Sequence, residues 1–400
     1  MTWFNSIWLV LCFTSIVHQA SAATIQVQNP AELSAALINT NSGDIIRLAP
    51  GNYGVLTLKD RVFTQFVTLE SSNKSNPAVF SHIEIEASRH LRIDALKVVA
   101  ESREGIGIFA SSDVDILNSQ IHGKNQFNRQ APVYTQVSTL YGINVGEDSS
   151  DIVVEGNSVS DVRSAAYIFF GVREIAVDAN RCDWVAADCF KFGGVDQASV
   201  TNNFGAQHIY AAPSAHVDFM QGQGPVSNAV FRGNVAMMGS RSFQGLFFDD
   251  ADFENLLFED NLIYTAHNRG ISVSAGRGIR ARYNTVLRAA GSQKATYIAL
   301  PSGSDKAFNF EANNTFSDEE RFPATNIVAQ WDKPQAAAHY SRYYQNAMHG
   351  AFAQIADFTP VAGSVADGQV GAFRRIRALL QGNDRRSDAV LPPFSLLLDD

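Results

Sequence analysis

The sequence predicts an all-β chain wound as a parallel β-helix, and three observations predict it. A short phrase recurs through the middle of the chain, its period suits one β coil, and the intervening segments are too short and too rich in turn residues for helices. The phrase is an apolar residue, two variable residues, Asn, one more residue, and an apolar or small one. It reads VEGNSV from Val154, VDANRC from Val177, VTNNFG from Val200, FRGNVA from Phe231, FEDNLI from Phe258, ARYNTV from Ala281 and FEANNT from Phe310. Ile93 with Leu96, and Ile116 with Ser119, hold the same frame without Asn.

The repeated position is therefore Leu96, Ser119, Asn157, Asn180, Asn203, Asn234, Asn261, Asn284 and Asn313, with steps of 23, 38, 23, 23, 31, 27, 23 and 29 residues. A basal step of 23 with additions in some repeats marks a solenoid whose loops grow on one side. Runs such as GINV and GISV lie between Gly, Asp and Asn, so the unit is three short strands and three turns. Asn recurring at one turn can stack coil on coil through side-chain amide hydrogen bonds. These asparagines read as builders of the fold.

Taken in chain order, the first segment is Ile7 to Val17, an apolar run too short to span a bilayer, followed by Ala20-Ser21-Ala22 in the small-residue pattern of a cleavage site. Residues 1–22 are expected to be a signal peptide, which makes the mature protein secreted or periplasmic. No later segment suits a membrane span. Cleavage removes Cys12 and leaves Cys182 and Cys189, which either form a disulfide in an oxidising compartment or pack as two small apolar side chains. Their spacing fits no zinc pattern.

The β-helix is expected over 23–316, opened by a short helix. Past Phe316 the phrase stops, and SRYYQNAMHGAFAQIADFTP and GAFRRIRALL read as short helical pieces of a C-terminal capping region over 317–400. Net charge is −9, from 31 Lys and Arg against 40 Asp and Glu. No basic field exists to gather nucleic acid or anionic membrane. A polyanionic substrate would need a local basic groove, and the chain is expected to act as a monomer.

The stretch NPAELSAALINTNSGDIIRLAPGNYG, with Gly43, Asp44, Ile46, Leu48, Pro50, Gly51 and Tyr53, resembles the opening of polysaccharide lyases. With the repeat, residues 24–316 resemble a right-handed parallel β-helix of the pectate-lyase-like superfamily. The resemblance implies architecture more than chemistry, since that superfamily includes lyases, hydrolases, epimerases and noncatalytic adhesins. The NTD, DD, GHG, RIK set of polygalacturonase-like hydrolases is absent apart from an isolated Asp249-Asp250. The NEISxKS phrase of alginate and chondroitin lyases and the DPHD phrase of alginate epimerases are absent too.

A second phrase aligns ahead of each turn: EGIGI from Glu104, YGINV from Tyr141, DCFKF from Asp188, VDFMQ from Val217, QGLFF from Gln244 and RGISV from Arg269. Its third and fifth positions are apolar in nearly all of them and are expected to point inward, so the fourth points outward. Lys191 is then outward between Phe190 and Phe192, followed on later coils by Met220, Phe247 and Ser272. The first column holds Tyr141, Asp188, Gln244 and Arg269, with His216 and Asp218 flanking Val217. A lone outward Lys is ordinarily just solvated, and His216 with Asp218 could be a surface pair. Their convergence on four successive coils, beside the inserted loop GAQHIYAAPSA that carries His208, favours a groove.

β-Elimination on a uronate needs a cation to neutralise the carboxylate and a base to take the C5 proton. Lys191 is the first candidate for base, with His216 or Tyr141 as competing base or proton donor. Arg269 suits the carboxylate, which its fork binds with two hydrogen bonds. Asn144, Gln244, Asp218 and His208 complete the substrate-binding set, and Asp249 with Asp250 are candidate calcium ligands. The expected function is a secreted lyase of an acidic polysaccharide. The alternatives are a C5-epimerase, an inverting glycoside hydrolase using Asp218 and Asp249, and a noncatalytic glycan-binding protein.

Overall fold

Each coil turns where a left-handed residue precedes the repeated Asn. In a computed structural model that describes residues 22–146, 148–208, 216–239, 241–289, 296–313, 326–330, 340–346 and 353–382, Gly156, Ala179, Asn202, Gly233, Asp260, Tyr283 and Phe308 have φ between 52° and 66°. The next residues are Asn157, Asn180, Asn203, Asn234, Asn261, Asn284 and Asn309. Asn203 Oδ1 accepts the Asn180 backbone N–H at 3.0 Å and its Nδ2–H at 3.1 Å, while Asn203 Nδ2 donates to the Val177 carbonyl at 2.9 Å. The same bonds repeat on the following coils. All seven asparagines are at most 1% exposed.

After Asn284 the ladder steps to Asn309 and not to Asn313 as the sequence pattern suggests. Lys306 stands where the phrase has an apolar residue, which hides the true repeat, and Asn313 lies in the following strand, Phe310–Asn313. That strand pairs in parallel with Ile327–Gln330, so the ladder runs on past residue 316.

Between turns the strands form three parallel ladders of a β-solenoid. One runs from Thr24–Val27 to Asp305–Ala307, a second from Asn52–Lys59 to Ile327–Gln330, and a third from Glu104–Phe109 to Tyr297–Ala299. Like residues stack inside. Tyr167 lies on Phe190 with ring centroids 4.7 Å apart, Phe169 on Phe192 at 5.4 Å, and Phe231 on Phe258 at 5.3 Å. Cys182 and Cys189 are bridged across the corner between the second and third ladders, which decides between the two readings of that pair.

The opening helix, Pro30–Asn39, starts where Asn29 accepts the Glu32 N–H and Glu32 accepts the Gln28 N–H, a reciprocal cap that satisfies the first orphan donors. Leu33 and Ala36 face the first coil. At the other end, the helical and loop cap lies along the outer face of the second ladder. The helix Phe373–Leu380 docks through Arg375, which donates to the Asn202 carbonyl at 3.3 Å, and Arg374, which pairs with Asp260 at 2.9 Å. Tyr344, Phe358 and Ile376 bury against Leu262, Tyr264, Leu287 and Phe310. The described cap thus leaves the third ladder alone. Among the described residues no helix is long and apolar enough to cross a membrane.

Asn203→Ala should leave two buried Asn180 donors unpaired, each costing about 1–3 kcal/mol. Denaturant unfolding is expected to show a loss of at least about 2 kcal/mol; a loss below about 0.5 kcal/mol would mean that the turn does not depend on the ladder.

Candidate active site

The third ladder sets four strands side by side: Asp188–Gly193, Asp218–Gln223, Gln244–Asp249 and Arg269–Val273. Phe190, Met220, Leu246 and Ile271 pair in register and are fully buried. Alternation then sends Lys191, Gln221, Phe247 and Ser272 to the other face. The register expected for the second strand is one residue off. Asp218, not Val217, lies opposite Asp188 and Gln244, and Gln221, not Met220, follows Lys191. The apolar Met220 must point inward, and the inserted loop obscured where the strand begins.

At the head of this face two acids stack on adjacent strands. The Asp218 backbone N–H donates to Asp188 Oδ1 at 3.1 Å, and the Lys191 ammonium lies 3.8 Å from Asp188 Oδ2. Burial pushes the Asp188 carboxyl up to about 7, against the lowering effect of Lys191. Asp218 is wholly buried, and neither carboxylate oxygen has a hydrogen-bond partner. Burial first, and the Asp188 charge second, push it well above the usual carboxylate range. Asp218 therefore lies beneath the surface, where it cannot itself touch a polymer.

Above the acids lies a basic strip. Lys191 keeps 22% of its side chain exposed. His216 is exposed and its Nδ1 lies 3.2 Å from Gln244 Nε2. Arg269 spreads over the Phe247 ring at 4.8 Å and donates to Ser272 Oγ at 3.0 Å, while His216 approaches the same ring at 6.2 Å. Phe247 thus carries Arg269 and His216 as a shared platform. On a chain of net charge −9 this is a local exception.

Tyr141 and Asn144 extend the same ladder. One strand, Ala165–Phe170, separates them from Asp188 and Lys191, about 10 Å over two parallel-strand spacings. Tyr141 sits under Arg103, which donates to its hydroxyl at 3.5 Å, and Asn144 donates to Glu104 at 2.6 Å. His208 ends a strand of the second ladder, opposite Val185; its side chain and the loop 209–215 lie outside the described residues, as do residues 1–21 of the expected signal peptide.

Asp249 and Asp250 close the third strand of the group. The hydrogen bond from Ser274 chiefly holds Asp249 low, helped by the Asp250 N–H and the charges of Arg269 and His216. Among the described residues no three His, Cys, Asp or Glu side chains come together as a metal set. Asp249 Oδ1 accepts the Asp250 N–H at 3.0 Å, and Asp250 lies on a left-handed turn. Asp218 and Asp249 do not suit an inverting pair, which needs both carboxyls at the sugar. Sequence reasoning missed Gln221 and the platform role of Phe247. Strict parity with Phe190 would have found the first.

No family model matches the chain, and no curated protein matches it. Among solved structures it is similar to the alginate lyase from Paenibacillus sp. str. FPU-7, at 19% identity over 71% of this chain and 97% of that one, with a TM-score of 0.47. It is also similar to the pectate lyase Pel9A, at 14% identity over 89% and 97% with a TM-score of 0.39, and to the catalytic domain of a GH87 alpha-1,3-glucanase, at 9% over 79% and 69% with a TM-score of 0.41. These likenesses are remote and include both lyases and a glucanase. The fold stands on the chain's own strand pairing, and the reaction must be argued from its side chains.

Asp188 and Asp218 hold protons more tightly folded than unfolded. Their contribution to stability is full below the unfolded value of 3.8 and is lost as pH rises through about 7 for Asp188, with Asp218 extending the loss further. The melting temperature should fall across that window, and the double variant Asp188→Asn, Asp218→Asn should flatten the fall. An unchanged slope would remove the buried pair as its source.

Proposed function

We propose that the chain is an exported polysaccharide lyase that cleaves a uronic-acid polymer by β-elimination. The observation that carries the reading is the Lys191 ammonium, 3.8 Å from a buried carboxyl near neutrality, on the same open ladder as Arg269 and His216. The leader-like residues 1–22 and the Cys182–Cys189 bridge support export to an oxidising compartment.

In this reading Arg269 binds the uronate carboxylate and so acidifies the C5 proton. Lys191 must be neutral to take that proton. Asp188, whose carboxyl titrates near 7, leaves Lys191 without an ionised partner while it keeps its proton. The C5–H electron pair then forms the C4–C5 double bond as the C4–O bond breaks, Lys191 passes the proton it took to the leaving oxygen, and His216 donates a hydrogen bond to that oxygen. Phe247 keeps Arg269 and His216 in place throughout. An epimerase would share the first proton transfer and differ in returning a proton to C5.

The purified protein should be assayed on alginate, pectate and glucuronan, with and without chelator, for the ultraviolet absorbance of an unsaturated uronate. Lys191→Ala is expected to lower kcat by about 10²–10⁴-fold, and Arg269→Ala to lower kcat/KM by about 10–100-fold, the worth of one charged hydrogen bond. New reducing ends without the absorbance would instead mean hydrolysis, altered sugar configuration without cutting would mean epimerisation, and binding alone would mean a noncatalytic protein. Loss of activity on chelation would restore a metal to the site.

A further inference from the structure

Two buried acceptors face each other across adjacent strands without a donor. Asp218 and Gln244 are paired residues of the third ladder, 0% and 6% exposed. Both Asp218 carboxylate oxygens and Gln244 Oε1 are buried and lack hydrogen-bond partners. Gln244 Nε2, on the other end of the same amide, already faces His216 Nδ1 at 3.2 Å. Burying acceptors without a donor is costly, so the pair needs a donor between them.

The surroundings supply none, and they also disfavour a charged Asp218. Across one strand lies Asp188, a second acid, and it takes the Lys191 ammonium at 3.8 Å. Across the other lies the neutral Gln244. Arg269, further along, points its Nη1 at Ser272, and His216 precedes Asp218 by two residues and turns its Nδ1 to Gln244. Among the described residues no cation is ion-paired with Asp218. An anion there would be both desolvated and beside a like charge.

We propose that Asp218 is a protonated positioning residue whose O–H donates to Gln244 Oε1, so that Gln244 Nε2–H donates to His216 Nδ1 and fixes His216 as the Nε2–H tautomer. One proton on Asp218 joins two of the three orphan oxygens. The amide is held in one orientation, since its oxygen end is pinned by a donor and its nitrogen end by an acceptor. His216 is left with its Nε2–H available to donate while its Nδ1 is engaged. The relay stands on the packing alone; only its use, donating a hydrogen bond to a leaving oxygen, rests on the elimination proposed above.

The test is the tautomer of His216 in the ¹⁵N-histidine-labelled protein at neutral pH, read from the nitrogen shifts of the ring. The expected result is Nε2–H in the wild type and in Asp218→Asn, whose amide still supplies a donor to Gln244. Asp218→Ala should move the ring toward Nδ1–H, and Gln244→Glu, which replaces the donor with an acceptor, should do the same if Asp218→Ala fails to fold. A wild-type Nδ1–H tautomer would overturn the relay, since it requires a flipped Gln244 donating to an ionised Asp218. An unchanged tautomer in Asp218→Ala would overturn it equally. Where a uronate polymer is cleaved, Asp218→Ala should lose about 10–100-fold in kcat and Asp218→Asn should retain near wild-type activity. If no polymer is cleaved, the function is wrong and the tautomer still decides the relay.

Discussion

From Asn157 onward, each coil of this protein hangs from a hydrogen bond between two buried amides. The asparagine ladder fixes where the chain turns, and a turn fixed to the residue fixes which side chains of the next strand face in. Asn203 takes both donors of Asn180, and each coil repeats that bond on the one before it. Because the side-chain period of a strand is two, a slip of one residue would move Lys191 into the core and Phe190 or Phe192 into water. The site depends on the ladder for its existence, although no ladder residue belongs to it.

The packed interior and the open face then impose opposite demands on neighbouring positions. Tyr167, Phe169, Phe190 and Phe192 fill the inside as stacked rings. On the outside, Lys191, His216 and Arg269 form a basic strip, with Lys191 beside Asp188 and the other two on Phe247. Asp188 and Asp218 sit where the second ladder bends into the third. There they are close enough to the strip to act on it and dry enough to keep protons near neutral pH. That layering, neutralised acids below and cations above, gives an acidic protein one surface suited to an anionic sugar.

The C-terminal segment shows how the fold chooses among its faces. Arg374 and Arg375 reach coils that the chain built more than a hundred residues earlier, at Asp260 and Asn202. They seal the second ladder, whose outer face carries Leu262, Tyr264 and Leu287. The outer face of the third ladder carries Lys191, Gln221 and Ser272 beside Ile168 and Phe247, and it receives no such cover from the described residues.

Repetition is what made the architecture legible. Asn157, Asn180, Asn203, Asn234, Asn261 and Asn284 declare the turns because a buried amide ladder tolerates few substitutes, and the steps between them give the coil length. The same pattern placed Lys191 outward and put His216, Gln244 and Arg269 on one ladder. It failed at Asn309, where Lys306 breaks the apolar frame, and at Asp218, where an inserted loop hides the first residue of the strand. Hydrophobic alternation carries register only where the strand's start is known. What the sequence determined by itself was therefore the solenoid and the ladder that bears the reactive residues, since both follow from local periodicity. Only the tertiary structure decided that Asp218 lies buried between Asp188 and Gln244, that Arg269 and His216 share Phe247, and that Asp249 and Asp250 gather no third ligand. Those facts depend on desolvation and on contacts between separate coils, which no single stretch of chain encodes.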